Sequence, residues 1–313
     1  MEIFKRQTNI DFLGKRRAAY AVSLILIAIS LGSLAFRGMP LGIDFTGGTL
    51  IEVAYPDTVD LGPVRSALAE AGFGDAQVQY FGGAREVLIR IAPREGLNSA
   101  DVSSEVLTAL EAQAGAGLEL RRVEFVGPQV GDELAEDGGL AVLFALIGVL
   151  MYVAFRFEKR FALGSVAALA HDVTITIGVF TVFQIEFDLT VLAALLAVIG
   201  YSLNDTIVVF DRIRDNFRIM RRADTFEVMN RSLNQTLSRT IITGVTTLLV
   251  LMSLLVWGGD TIFGFSLALV VGIVVGTYSS VYIASALALA LGVNRQDMVP
   301  GKEEQRDAAD QVP

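Results

Sequence analysis

The stretch IGYSLNDTIVVFDRIR, residues 199–214, places Asn204 and Asp205 inside a run of otherwise apolar residues. The run begins upstream at Leu189, so it is long enough to cross the hydrocarbon core of a bilayer, which takes about 20 helical residues. A charge near the bilayer centre costs about 2.5–3.5 kcal/mol on insertion scales. An aspartate at this position therefore indicates a functional site, and a partner for it must be sought.

Further apolar runs predict a mainly α-helical integral membrane protein with six spans. The chain is 53% hydrophobic, above the roughly 45–50% apolar content of soluble domains, and its mean hydropathy is +0.55. The first run follows Lys15-Arg16-Arg17 but is too long for a signal peptide and lacks a small-residue cleavage site, so we expect an uncleaved anchor. The predicted transmembrane helices are 18–36, 138–155, 161–185, 189–210, 240–257 and 262–292.

The distribution of Lys and Arg predicts the orientation of these spans. Basic residues concentrate in segment 1–17, in the short loop at 156–160 and in loop 211–238, whereas connectors 184–188 and 258–260 contain none. Because basic loops stay on the cytoplasmic side, we expect both termini in the cytoplasm, including the charged tail 293–313. The basic segment that follows the fourth span is expected to attract anionic lipid or to contact a partner subunit.

Residues 37–137 are then expected to form one external domain. This segment holds 7 Lys/Arg against 17 Asp/Glu, and such an acidic balance argues against a nucleic-acid partner. The whole chain lacks cysteine, so disulfides cannot stabilise the domain.

The residue pattern of this domain predicts an α+β ferredoxin-like fold between the first two spans. An alternating strand at 49–55 is followed by a helix capped by Asp60, and a hairpin turns at Gly82-Gly83. A second helix is expected to start at Asn98 or Ser99, and a last strand occupies 118–126. This βαββαβ order is typical of ferredoxin-like domains. The pair Gly47-Gly48 is predicted to bend the chain as it enters the first strand.

Five motifs occur in order along the chain: LGIDFTGGTLIEV (41–53), GPQVGDEL (127–134), AHDVTITIG (170–178), GYSLNDTIVVFDRIRDNF (200–217) and SLNQTLSRTIITG (232–244). Taken together, they resemble the SecF branch of the SecD/SecF family of the bacterial protein-export machinery. The resemblance covers nearly the whole chain, and it implies membership of the proton-driven RND superfamily. It also implies a SecD partner with the same six-span plan, a role in assisting the SecYEG channel, and residence in the bacterial inner membrane. Translocating polypeptides, other Sec accessory membrane proteins and the lipid bilayer are the further expected partners.

Arg239 is the predicted partner of Asp205. It begins a polar stripe on the fifth span that continues through Thr243, Thr246 and Thr247, and antiparallel packing would bring it to the level of Asp205. Burial favours a protonated carboxyl and a nearby arginine favours the ionised form, so opening and closing the pair would change its proton affinity. The resemblance implies the same two residues for proton coupling.

Two alternatives for these residues remain open. Arg239 lies near the predicted cytoplasmic end of its span, where its side chain would reach the lipid headgroups. Asp205 would then serve as a static hydrogen-bonding residue, paired with Asn204 or with a threonine.

His171 and Asp172 are secondary candidates in the third span, together with Asn204 in the fourth. His171 is the only histidine of the chain, and an adjacent acid suggests a proton relay. Neighbouring positions of a helix point about 100° apart, however, so we expect no direct pair between them. Structural hydrogen bonding is the favoured role for His171, and the role of Asp172 stays open.

The remaining features predict a transport subunit and no enzyme. The sequence contains no metal-ligand cluster and no nucleophile–base pair in its motifs, so we expect no metal and no cofactor, with the proton gradient as the energy source. A stripe formed by Gly272, Gly276 and Ser280 is expected to pack closely against a helix of this chain or of a second half. A proton-driven RND-type exporter half for lipids or small molecules, and a membrane scaffold, are the alternative functions.

Overall fold

The computed structural model describes residues 8–94, 99–114, 117–157 and 159–294. Within them, six helical segments are long and apolar enough to span a membrane, as predicted. The first follows a 3-10 turn at Leu13–Lys15, and the last continues through a π-helical segment at Ser280–Ala284. The helices are α1 (Arg16–Arg37), α2 (Ile43–Thr46), α3 (Leu61–Glu70), α4 (Ser99–Ala114), α5 (Pro128–Arg156), α6 (Lys159–Phe183), α7 (Leu189–Ile219), α8 (Thr225–Trp257), α9 (Phe263–Ser279) and α10 (Ser285–Ala290).

Two spanning helices begin well before their predicted boundaries. Helix α5 starts at Pro128, where a proline suits the first helical position because its missing N–H needs no partner there. Helix α8 starts at Thr225, and its N-cap Asp224 accepts a hydrogen bond from the backbone N–H of Glu227 at 2.7 Å. The predicted loop 211–238 is therefore wrong in its extent, because most of it is helical. The first turns of α5 and α8 are polar, so the length of an apolar run does not reveal that they are helical.

The external domain contains four strands: β1 (Gly48–Ala54), β2 (Gln77–Phe81), β3 (Gly83–Ile91) and β4 (Glu119–Val126). They form an antiparallel sheet in the order β2-β3-β1-β4, which is compatible with the predicted ferredoxin-like arrangement. One face of the sheet packs against α3 and α4. The core there includes Ile51, Val53, Val64, Ile89, Val106 and Leu110.

Both helices of the domain begin close to the predicted positions. Asp60 caps α3 by accepting the N–H of Gly62 at 3.0 Å. Helix α4 starts at Ser99, and the alternative start Asn98 lies outside the described residues.

Gly47 and Gly48 form the predicted bend between α2 and β1. Both have positive φ angles, 68° and 119°, a conformation that favours glycine. A Cβ on Gly47 would lie 2.9 Å from the Cα of Pro128, and one on Gly131 would lie 2.7 Å from the nitrogen of Gly47. Because Gly47 and Gly131 lack a Cβ, the start of the sheet can contact the backbone of α5.

The external domain is joined to the bundle at the connector between α6 and α7. Arg90 of β3 forms an ion pair with Glu186 of this connector, with 2.5 Å between Nη2 and Oε2. The carbonyl of Phe187 accepts a hydrogen bond from the N–H of Gly42 at 2.9 Å, and the N–H of Phe187 donates to the carbonyl of Pro40 at 2.8 Å. The connector is thus part of the junction with the domain.

The predicted basic loops lie at the opposite end of the bundle. Ile10 and Phe12 donate backbone N–H groups to Asn234 and Asn230 near the start of α8, at 2.8 and 2.9 Å. Arg160 donates to the carbonyl of Gly292 at 2.7 Å. Phe12 and Leu13, Phe157 and Phe161 at the junction of α5 and α6, and Val293 after α10 therefore lie together in one core cluster.

Candidate functional site

Asp205 lies inside the bundle on the buried face of α7. Its side chain is only 4% exposed, and Ser202, Thr206 and Val209 on the same face are also buried. The Oδ2 atom of Asp205 has no hydrogen-bond partner among the described residues. Leaving a buried acceptor unsatisfied is costly, more so when it is charged, so this carboxyl is suited to bind a proton or to change partners.

Arg239 lies at the level of Asp205 but does not contact it. Asp205 precedes the end of α7 at Ile219 by the same 14 residues by which Arg239 follows the start of α8 at Thr225. Arg239 is within electrostatic range of the carboxylate, yet its side chain is exposed on the outer surface of α8. The predicted ion pair is therefore not formed in this structure, although the two helices bring the residues near each other.

The threonines of the predicted stripe on α8 hydrogen-bond within their own helix. Thr243 donates to the carbonyl of Arg239 at 3.0 Å, and Thr247 donates to that of Thr243 at 2.9 Å. Thr247 also accepts from the hydroxyl of Tyr201 on α7 at 3.4 Å. These contacts satisfy the hydroxyls, and none of these threonines, all within the described part of the chain, bonds to Oδ2 of Asp205.

Asn204 does not share the environment of Asp205. Its side chain is exposed on the opposite face of α7. Thr206, the nearest threonine in sequence, forms its hydrogen bond with Ser280 at 2.9 Å and not with Asp205. Within the described part of the chain, Asp205 is bonded neither to Asn204 nor to a threonine, so the static interpretation gains no support.

His171 and Asp172 do form a direct pair, contrary to the prediction. The Nδ1 atom of His171 lies 2.9 Å from Oδ1 of Asp172. The Cα–Cβ bonds of adjacent residues diverge, but the side-chain torsions bring the imidazole and the carboxylate back together. The other oxygen of Asp172 accepts hydrogen bonds from Ser202 at 2.6 Å and from Ser279 at 2.7 Å.

A hydrogen-bonded chain extends from this pair to α1. The Nε2 atom of His171 lies 3.1 Å from the hydroxyl of Ser23, which lies 3.0 Å from the hydroxyl of Tyr278. Tyr278 donates to the carbonyl of Ala19 at 2.7 Å. The network therefore connects α1, α6, α7 and α9. Ser23, Tyr278 and Ser279 were not predicted, because the only signal of each is one hydroxyl-bearing side chain in an apolar span.

The predicted stripe of small residues packs inside this chain. A Cβ on Gly272 would overlap the side chain of Val198, and one on Gly276 would lie 2.9 Å from the Cβ of Ser202. Close contact between α7 and α9 thus brings Ser202 and Ser279 to the same oxygen of Asp172. The stripe is not available to a second half.

The sequence is similar to known protein-export proteins. A family profile described as protein export membrane protein SecD/SecF, C-terminal, matches residues 106–294, and the SecD/SecF GG motif matches residues 32–55. Protein translocase subunit SecF of Vibrio alginolyticus is 51% identical over 313 residues, covering 100% of this chain and 99% of the relative. The Pseudomonas aeruginosa subunit of the same name is 52% identical, covering 97% of this chain and 98% of the relative.

The fold is also similar to two crystal structures. SecDF from Thermus thermophilus, described as a translocon-associated membrane protein, has a TM-score of 0.82 and 40% identity over 92% of this chain. SecDF in a super-membrane-facing form has a TM-score of 0.69 and 38% identity over 98% of this chain. This chain covers 39% and 40% of those two longer chains.

Proposed function

The chain belongs to the SecD/SecF family of protein-export membrane proteins, and from this premise we propose how it acts as a SecF-type subunit of the Sec translocase. It is a multi-pass membrane protein and an accessory translocation component. Its identity of 51–52% to two SecF subunits extends over nearly their full length.

We propose that Asp205 couples the proton-motive force to export. The observation that carries this proposal is a buried carboxyl whose Oδ2 has no hydrogen-bond partner among the described residues. When Arg239 is turned outward, burial favours the protonated carboxyl; when Arg239 approaches, its charge favours release of the proton. Alternation between these arrangements moves a proton and changes the packing of α7 against α8.

The energy of this step is sufficient for a conformational change. Each proton that moves inward across ~100 mV releases about 2.3 kcal/mol. Since about 1.4 kcal/mol is a factor of ten in an equilibrium constant, one proton shifts a two-state equilibrium by roughly fiftyfold.

The proposed partner is SecD, which would cover the outer face of α7. This face is formed by the exposed Ala193, Ala197, Gly200 and Asn204, and no atom lies within 4 Å of a Cβ placed on Gly200. Small residues allow close helix packing in a membrane, and a polar amide facing lipid is unfavourable. A second half that covers this face would shield Asn204 and, on the neighbouring helix, Arg239.

We further propose a bacterial inner-membrane location with both termini in the cytoplasm and the α+β domain in the periplasm. The grouping of the basic segments at one end of the bundle supports this orientation. The SecYEG channel, translocating polypeptides and other Sec accessory membrane proteins are the partners expected for this role. No nucleic-acid partner, metal or organic cofactor is part of the proposal.

The test is proton-dependent export by membranes that contain this chain together with SecD and SecYEG. Asp205→Asn keeps the shape of the side chain but cannot exchange a proton, so it should abolish stimulation by the proton gradient. Asp215→Asn is the matched control, because Asp215 is exposed on the same helix beyond the apolar run, and it should export normally. Full proton-driven export by the Asp205→Asn variant would contradict the proposal and favour a scaffold.

A further inference from the structure

His171 and Asp172 form a second buried ionisable site, which the mechanism proposed for Asp205 does not use. We propose that this pair holds one proton between Nδ1 of His171 and Oδ1 of Asp172, so that the two side chains together carry no net charge. The pair is connected to the helix of Asp205, because Ser202, which donates to Asp172, lies on α7 one helical turn before Asp205.

The direction of the hydrogen bonds supports this proton. The carbonyl of Ala19 can only accept, so the hydroxyl of Tyr278 donates its one hydrogen there. Ser23 must then donate to the oxygen of Tyr278, and Nε2 of His171 must carry a hydrogen to donate to Ser23.

This assignment determines what lies between His171 and Asp172. A neutral imidazole with its hydrogen on Nε2 has a bare Nδ1, which is an acceptor. An ionised Asp172 also has only acceptors, and the two atoms are 2.9 Å apart. A hydrogen is therefore required between them, either as an imidazolium N–H or as a carboxyl O–H.

The environment of Asp172 leads to the same assignment independently. Asp172 is 0% exposed, and an ionised carboxylate without a counter-charge is very costly in such surroundings. Its hydroxyl partners, Ser202 and Ser279, are neutral donors. In the described ranges, His171 is the one basic group within ion-pair distance of Asp172, so the shared proton provides the compensating charge.

A neutral pair has a consequence for its neighbour. If Asp172 were an anion, a second anion on Asp205, one turn from the serine that donates to Asp172, would be disfavoured by repulsion in a medium of low dielectric constant. With the shared proton in place, Asp205 can lose and regain its own proton without this opposition. The pair is therefore a permanent proton site beside the site that is proposed to exchange its proton.

The experiment is solid-state ¹⁵N NMR of the chain in complex with SecD, with labelled histidine in this chain only and a purification tag free of histidine. Because the chain has a single histidine, both ring nitrogens are assigned without ambiguity. We expect a protonated Nε2 near neutral pH. It should be accompanied either by a protonated Nδ1 or by an infrared C=O band of a neutral carboxyl that disappears in Asp172→Asn.

Two results would overturn the inference. One is a bare Nε2 with the hydrogen on Nδ1. The other is a protonated Nε2 with a bare Nδ1 and no carboxyl band from Asp172. The nitrogen spectrum of the wild type by itself identifies the first result and detects an imidazolium, so the inference stays falsifiable even if Asp172→Asn, which is needed only to assign the carboxyl band, does not fold. In Asp205→Asn the histidine spectrum should be unchanged, so loss of the proposed function of Asp205 would leave this inference standing.

Discussion

Arg90 in the third strand of the external sheet is paired with Glu186 in the connector that precedes α7, with 2.5 Å between Nη2 and Oε2. Arg90 also donates to the carbonyl of Leu41 at 3.4 Å and to Oε1 of Gln77 at 3.3 Å. One guanidinium therefore contacts the sheet, the segment that enters it, and the connector in the bundle. These contacts link the start of α7 physically to the external domain.

The stability of this junction should depend on pH through Glu186. Burial raises the pKa of this carboxyl; Arg90 opposes that change, whereas Asp188 and Asp44 reinforce it. A carboxyl with a raised pKa in the folded state binds its proton more tightly there than in the unfolded chain. Its contribution to stability is therefore lost as the pH rises above the ordinary value near 4.5.

Glu186→Gln should remove this contribution. Thermal unfolding of the detergent-solubilised complex would be measured between about pH 4 and pH 8, a range that spans the ordinary carboxyl pKa. The difference in unfolding temperature, variant minus wild type, should increase as the pH rises. Glu70→Gln, on the exposed end of α3, is the matched control and should show no such trend. A difference that decreases with pH would mean that Arg90 outweighs burial.

The loss of proton-driven export in Arg239 variants should depend on the charge and on the shape of the new side chain. Arg239→Lys keeps the charge but loses the planar guanidinium, so it should impair proton-driven export less than Arg239→Met. Without the arginine, the neutral form of Asp205 is favoured, and an infrared carboxyl band assigned by Asp205→Asn should grow in the methionine variant. Equal export by both variants, or no change in that band, would exclude Arg239 as the partner.

Substitutions at two glycines should distinguish helix packing within the chain from helix packing against SecD. Gly276→Ala places a Cβ 2.9 Å from that of Ser202, and such overpacking typically costs 1–3 kcal/mol, so the chain itself should unfold at a lower temperature. Gly200→Leu enters open space in this chain and should leave its own stability intact. It should instead reduce the amount of SecD that co-purifies with the chain. Undiminished SecD recovery would place the partner on another face.

Cysteine labelling of intact cells tests the orientation, because the chain has no native cysteine. Glu111→Cys lies on the exposed side of α4, and Arg222→Cys lies in the exposed turn between α7 and α8. A thiol reagent that crosses only the outer membrane should label the first and spare the second. Both should react after the cells are broken. The reverse pattern would invert the proposed topology.

Local patterns in the sequence were sufficient for much of the architecture. The six spans follow from apolar length, and the strands of the external domain follow from alternation. Asp60 is readable as a cap because capping depends on near neighbours. The polar first turns of α5 and α8 were missed because their helical structure has no apolar signature.

The details of the site depend on packing, which no local pattern specifies. The rotation of α7 relative to α9 is determined by contacts such as that of Gly272 with Val198, and this rotation brings Ser202 to Asp172. The outward direction of Arg239 is likewise a property of the assembled helices. Asp205 itself was predictable, since a carboxylate in an apolar run is conspicuous at any rotation.

The amino end of α7 is held by two acids. Its first residue, Leu189, donates its N–H to Asp44 at 2.8 Å, and the N–H of Val191 is accepted by Asp188 at 2.8 Å. Asp44 belongs to the segment that leads into the external sheet, so the first residue of α7 is attached to that domain. At a rise of 1.5 Å per residue, Asp205 lies about 24 Å along the helix from this attachment. A tilt of α7 by only about 5° about its first residue would displace the carboxyl by roughly 2 Å, which is comparable to the difference between a hydrogen bond and no contact.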